Sequence, residues 1–192
     1  MKSKYTLLGT GWIEDEMEYT GSQLRGHFVR ETGGIKTDGV IAFAGMCRVS
    51  VSELVDLEDA EEGAVIRAEK MLHFIGEHFD CCLREANFRL RLFASIVMDL
   101  LRENGARPGL VRRGDDLYLE ERKMSVGVAT MTPVSAVFHF GVNIDPAGAP
   151  VQAAGLAEFG IDPQGTALSV LDRYRQECET VEMAVRKVRG RL

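Results

Sequence analysis

Between Cys81 and Asn104 the residues Leu83, Ala86, Leu90, Phe93, Val97 and Leu100 step along the chain by three and four. Only a helix brings residues at that spacing to one side, so the stretch predicts an amphipathic helix with a broad inward stripe, ended by Gly105 and Pro108. Directly after it the pattern changes. Runs at Leu117–Leu119, Met124–Met131 and Ala136–Ile144 have strand length and are separated by the turn residues Gly114, Asp115 and Pro133. A long helix followed by short strands joined by tight turns restricts the chain to helices packed on a mostly antiparallel sheet.

The remaining segments fill in that plan. Tyr5–Leu8 reads as a strand closed by Gly9 and Gly11, Gly21–Thr32 as a short helix stopped by Gly33 and Gly34, and Val40–Ala44 as a buried strand. Beyond an acidic stretch, Val65, Ala68, Met71, Leu72 and Ile75 recur at helical spacing and predict a further helix with one inward face. Pro146–Gly165 is rich in Gly, Ala and Pro and reads as irregular, with a turn or strand at Gly155–Phe159. Asp162 and Pro163 are N-cap and first-turn signals for a last helix, whose inward residues would be Leu168, Leu171, Tyr174, Cys178, Val181, Val185 and Val188. Residues 1–192 carry no internal repeat or low-complexity linker and are expected to form a single α+β domain.

Composition narrows the function classes. A formal net charge of -6 argues against a nucleic-acid partner, whose phosphates call for a basic surface. The four cysteines, Cys47, Cys81, Cys82 and Cys178, include an adjacent pair and do not form a disulfide framework. With no secretory signal and no apolar run near the roughly 18 residues of a membrane span, a cytoplasmic protein without a membrane partner is expected.

Two groups of residues carry a resemblance. The stretch Asp115-Asp116-Leu117-Tyr118-Leu119, followed by Arg122-Lys123-Met124-Ser125-Val126-Gly127, resembles the central hairpin of biotin protein ligases and lipoate ligases. His139-Phe140-Gly141-Val142-Asn143 is similar to the next strand of that fold. Further out, Tyr19-Thr20-Gly21-Ser22-Gln23-Leu24-Arg25, Gly39–Phe43, Val55–Asp59 and Thr132–Ser135 resemble domain of unknown function family 366, an uncharacterised prokaryotic family, over most of the chain. The resemblance implies a biotin and lipoate ligase-like fold, akin to the class II synthetases, with a small-molecule ligand over the sheet and no established reaction.

The resemblance implies candidate site residues. Ligases of this kind form an acyl-adenylate, so Lys123 would hold a carboxylate and then the charge developing on phosphate, and Asp116 would hold the lysine or a metal. Gly127 would let a ligand lie close to its strand, while His139 and Asn143, on one strand face with Gly141 between them, would line a cleft. Gln23 and Arg25, near a helix start, would orient a carboxylate or phosphate. The bland alternatives are a solvated Arg122-Lys123 turn, a bulge at Gly127, and capping by Gln23 and Arg25.

Other features depart from the ligase pattern. For ATP and Mg²⁺, the nearest phosphate loop is Arg30-Glu31-Thr32-Gly33-Gly34, where Ile35 replaces a further glycine and the two glycines read equally as a helix C-cap. The ligase asparagine before the hairpin aspartate is here Asp115, which would repel an anion. Asp56, Glu58, Asp59, Glu61 and Glu62 could assist Mg²⁺ or be a solvated run before a helix. Cys178 is the only cysteine after Lys123 and sits on an inward stripe, which disfavours a thioester route. His73, Glu77, His78, Cys81 and Cys82 could share helix faces around zinc, or be buried thiols beside half-exposed histidines. Two functions follow: binding or activation of a small carboxylate or adenylated ligand, or a non-catalytic binding or assembly module on the same scaffold. A homodimer through an edge strand is an added expectation.

Overall fold

The computed structural model describes residues 8–105 and 109–190. Five strands make the main sheet: β1 (Gly9–Trp12), β2 (Gly39–Val49), β3 (Ile66–His78), β7 (Ser125–Met131) and β8 (Ala136–Asp145). Their spatial order is β1-β2-β3-β8-β7, with β1 parallel to β2 and every other pair antiparallel. A smaller antiparallel sheet holds β4 (Leu110–Arg113), β5 (Asp116–Leu119) and β6 (Arg122–Lys123). Among the described residues there are four α-helices: α1 (Phe28–Gly33), α2 (Leu57–Glu61), α3 (Leu83–Glu103) and α4 (Pro163–Lys187). The fold class is the expected α+β one, a mixed sheet flanked by helices.

The sheet is covered on both sides, and its pleat sorts the side chains between two cores. Leu72, Phe74, Phe138, Phe140 and Val142 meet α3 and α4 on one face. Ile41, Phe43, Met71 and Ile75 meet Tyr19, Phe28 and Val29 on the other. Phe93 of α3 centres the first core, with ring centroids 5.0 Å from Phe74, 5.3 Å from Phe138 and 5.1 Å from Tyr174. Truncating such a buried ring to alanine costs about 3–5 kcal/mol.

Double burial explains the largest correction. The helix expected from Val65 to Ile75 is strand β3, hydrogen-bonded to β2 and β8 and buried at every position from Met71 to His78. A central strand buried on both faces shows no alternation, and its Ala68, Met71 and Leu72 are good helix formers, so local preference lost to pairing. The same correction dissolves the helical zinc arrangement. His73 and Glu77 point to one sheet face and His78 to the other, and both histidines are buried, not half-exposed.

Other boundaries moved less. The early helix begins at Phe28, seven residues after the expected Gly21, and ends as expected on Gly34, left-handed at φ 68°, whose amide donates to the Arg30 carbonyl. The two glycines are therefore a C-cap. Of the expected strand Tyr5–Leu8, residues 5–7 lie outside the described residues, as does Pro108; the observed strand starts at Gly9. Helix α4 opens as expected, Asp162 accepting from the Gly165 amide with Pro163 next to it. Its stripe is buried at Leu171, Tyr174 and Cys178; Leu168 is exposed because Ala167 and Val170 take the inward face beside it, and Val181, Val185 and Val188 are exposed because the chain there outruns the layer beneath it. Among the described residues, no helix is long and apolar enough to cross a membrane.

Candidate ligand-binding site

Lys123 is fixed by its main chain before its side chain does anything. Its amide donates to the Gln152 carbonyl at 2.9 Å, and its carbonyl accepts from the Ala154 amide at 3.1 Å and from Asn143 Nδ2 at 3.2 Å. It also pairs with Tyr118 across the hairpin, whose turn places Glu120 in the left-handed region at φ 56°. The short strand β6 is thus clamped between β5, the tip of β8 and the 152–154 segment.

The lysine ammonium lies 2.7 Å from Asp116 Oδ2. Burial opposes the charge on Lys123, but the Asp116 carboxylate, with Tyr118 and Asp59 farther out, outweighs it and holds the amine above its ordinary range. For Asp116 burial is the larger influence, and it raises the carboxyl despite the pull of Lys123. Asp116 Oδ1 is buried and has no hydrogen-bond partner among the described residues.

Lys123 lines a cavity of 320 Å³ whose walls are mainly apolar: Val65, Ile66, Met71, Val126, Pro150 and Val151. Ser125 and Asn143 line it beside Lys123, and Asp59 and Arg67 stand at its rim. Ser125 Oγ accepts from the Leu117 amide at 2.7 Å, which leaves its hydroxyl hydrogen to turn elsewhere. A smaller lobe of 40 Å³ shares Asp59, Ile66 and Val126 with the first and is lined by Tyr19, Gly127, Val128 and His139. Glu53 and Asp56 edge this lobe. Asp56 is the N-cap of α2, accepting from the Glu58 and Asp59 amides, which hangs the acidic segment over the cleft.

Beside the smaller lobe runs a buried polar stack. Tyr19 lies on the His139 ring, centroids 3.7 Å apart and planes within 14°. His73 Nδ1 is 3.0 Å from His139 Nε2, and His73 Nε2 is 3.3 Å from the Gly45 carbonyl. Burial pulls His73 down to about 3 and drives His139 well below the ordinary histidine range, with His73 adding to the push. Both rings are neutral.

The expected residues divide. Lys123 and Asn143 line the larger lobe, Gly127 and His139 the smaller, and Asp116 pairs with Lys123. Gln23 and Arg25 are engaged elsewhere. Gln23 Oε1 accepts from the Thr20 amide at 3.1 Å and its Nε2 donates to the Glu18 carbonyl at 2.8 Å, closing a local turn. Arg25 pairs with Glu31 at 2.6 Å and lies over the Phe28 ring. The wall residues 149–153 lie in an irregular segment that carries no periodicity, while Ile66 and Arg67 open strand β3, whose helix-like spacing hid their place in the wall. His73 is joined to His139 only by the β3–β8 register, and Tyr19 only by its bridge to Cys47 on β2, so neither contact shows in the sequence.

With this geometry in place, the chain can be set beside known proteins. Residues 8–189 match the family described as domain of unknown function 366. The chain belongs to that family. An uncharacterized protein of Methanocaldococcus jannaschii is 31% identical over 183 residues, covering 92% of this chain and 82% of its own. A protein of unknown function from Pyrococcus horikoshi superposes with a TM-score of 0.90 at 34% identity, covering 96% of this chain and all of its own. The biotin protein ligase from Aquifex aeolicus in complex with biotin and ATP has a TM-score of 0.54 at 18% identity, covering 88% of this chain and 69% of its own. A lipoate-protein ligase A bound with ATP reaches 0.51 at 15% identity, covering 88% and 85%. The DUF366 chain therefore has the biotin and lipoate ligase-like fold; likeness at such low identity extends to architecture alone.

Proposed function

We propose that this protein binds a small carboxylate-bearing or adenylated ligand in the cleft over β3, β8 and β7, with Lys123 meeting the carboxylate or phosphate. The observation that carries this reading is that Lys123, its backbone fixed and its ammonium paired with Asp116, lines a mainly apolar 320 Å³ cavity. Such a pocket suits an apolar body with one charged head. Asp116 keeps the ammonium charged and aimed, and Ser125 offers a second donor beside it. The ligase-like neighbours, crystallised with biotin or ATP, support a small ligand in this fold.

A second reading, a binding or assembly module without ligase chemistry, is favoured by one observation. The Gly33-Gly34 pair caps α1, and the segment over the cleft is acidic, so the described residues offer a polyphosphate no glycine-rich cradle there.

Thermal stabilisation by ATP, biotin, lipoate and a panel of other carboxylic acids tests the first reading. A ligand at a hundred times its Kd adds about 2.7 kcal/mol, which for a chain of this length raises Tm by about 5–10 °C. Lys123→Met should abolish the shift and Lys123→Arg should retain part of it. If no acid shifts Tm, or Lys123→Met responds like the parent, the reading is wrong. Pyrophosphate release with any acid of the panel would exclude the non-catalytic alternative.

A further inference from the structure

One edge of His139 borders the smaller lobe, and the hydrogen-bond roles along that edge are set by its neighbours. A carbonyl can only accept, so His73 Nε2, 3.3 Å from Gly45 O, carries the hydrogen. His73 is neutral, so its Nδ1 is a lone pair and accepts from His139 Nε2 at 3.0 Å. His139 is neutral too, and with its hydrogen on Nε2 its Nδ1 is left as an acceptor.

The direction of that acceptor follows from the strand register. His139 Nε2 is turned toward β3, where His73 lies, and a side chain at Gly141 would meet His139 Cε1 at 3.0 Å. Nδ1, on the far side of Cε1, therefore faces β7, whose Val126, Gly127 and Val128 line the lobe with His139. Tyr19 covers the face of the ring and leaves its edge open. Among the described residues, the hydrogen bond the ring makes is the one to His73, and His139 is 1% exposed. An acceptor that the protein leaves without a partner at the edge of the lobe favours a ligand group that supplies a hydrogen there over one that does not. Glu53, Asp56 and Asp59 at the rim disfavour a second anion and suit a neutral or cationic donor.

We propose that the ligand is a carboxylic acid carrying a hydroxyl or amino group at its far end: the carboxylate at Lys123, an apolar middle in the larger lobe, and the distal O–H or N–H donating to His139 Nδ1. This inference rests on the Lys123 reading and adds the substrate class. His139 and Asn143 are four residues apart on β8, a span of about 13 Å at ~3.3 Å per residue, which a medium-length chain bridges.

Calorimetric titration of the full chain with heptanol, heptanoate and ω-hydroxyheptanoate tests it without altering the protein. Heptanoate should bind more tightly than heptanol, and ω-hydroxyheptanoate more tightly than heptanoate by about fivefold to tenfold. In the ¹⁵N spectrum, His139 Nδ1 should show as a bare lone-pair nitrogen in the free protein and shift on adding the hydroxy acid but not heptanoate. Equal affinity of the two acids, or a hydrogen on His139 Nδ1, overturns this inference and leaves the carboxylate pocket standing. Heptanoate binding no better than heptanol, or no binding at all, removes the Lys123 reading and this inference with it.

Discussion

Asn143 holds Lys123 by its main chain. Its Nδ2 donates to the Lys123 carbonyl at 3.2 Å and to the Ala154 carbonyl at 3.1 Å, while the Asn143 amide donates to Met124 O at 2.9 Å. Both side-chain hydrogens face carbonyls, so the asparagine offers the cavity only its oxygen. Within the proposed site it is first a positioning residue: it ties β8 to the strand that presents the ammonium and to the 152–154 segment behind it.

Asn143→Asp keeps the shape and reverses the chemistry. Two buried carbonyls would face a carboxylate where they had a donor, at a position 7% exposed. The expected loss is about 3 kcal/mol at neutral pH, shrinking in acid as the introduced carboxyl takes up a proton and can donate once. Urea unfolding at two pH values measures it, and an unchanged midpoint would show that the clamp contributes nothing.

How much of this was legible beforehand depends on where the information resides. The α3 stripe, the hairpin around Lys123 and the shared face of His139 and Asn143 are local patterns; the stripe is buried as expected from Ala86 to Leu100, while Leu83, in the first turn, is exposed. Strand β3 was misread because burial on both faces erased its alternation. The exposed end of α4 was misread for the converse reason: Val181 and Val185 continue a helical stripe, but nothing in their spacing says that the sheet stops at Cys178. The cavity needed three segments far apart in sequence, around Ile66, Lys123 and Pro150, and only the folded chain brings them together.

The buried histidines tie stability to acidity. His73 has its folded pKa lowered to about 3 from 6.5. Above pH 6.5 the ring is neutral whether the chain is folded or not, and its contribution is complete. As pH falls toward 3 the unfolded chain binds a proton that the folded chain refuses, so stability declines, by up to about 1.4 kcal/mol per pH unit for this ring. His139, shifted the same way, adds to the slope. Urea midpoints should therefore drop steadily from pH 6.5 to 4, while NMR of the folded protein shows both rings still neutral. A protonated His73 at pH 5 in folded protein would contradict the relay.

The roof of the cleft depends on a contact that only glycine permits. A side chain at Gly45 would place its Cβ 1.9 Å from the Met17 carbonyl oxygen, and that obstacle is backbone. The Met17 amide bonds Ala44 O at 3.1 Å and Tyr19 pairs with Cys47, so this contact seats the segment that lays Tyr19 over His139. Gly45→Ala must lift the segment or push β2 aside, with an expected loss of about 2–4 kcal/mol, in the range of severe overpacking. Displacing Tyr19 should uncover the histidine pair, so hydrogen exchange should speed up at Met17 and Tyr19 while the α3 amides on the opposite face keep their protection. Uniform loss of protection would mean that the roof and the core unfold as one unit; protection that is unchanged everywhere would mean that the segment has room to spare.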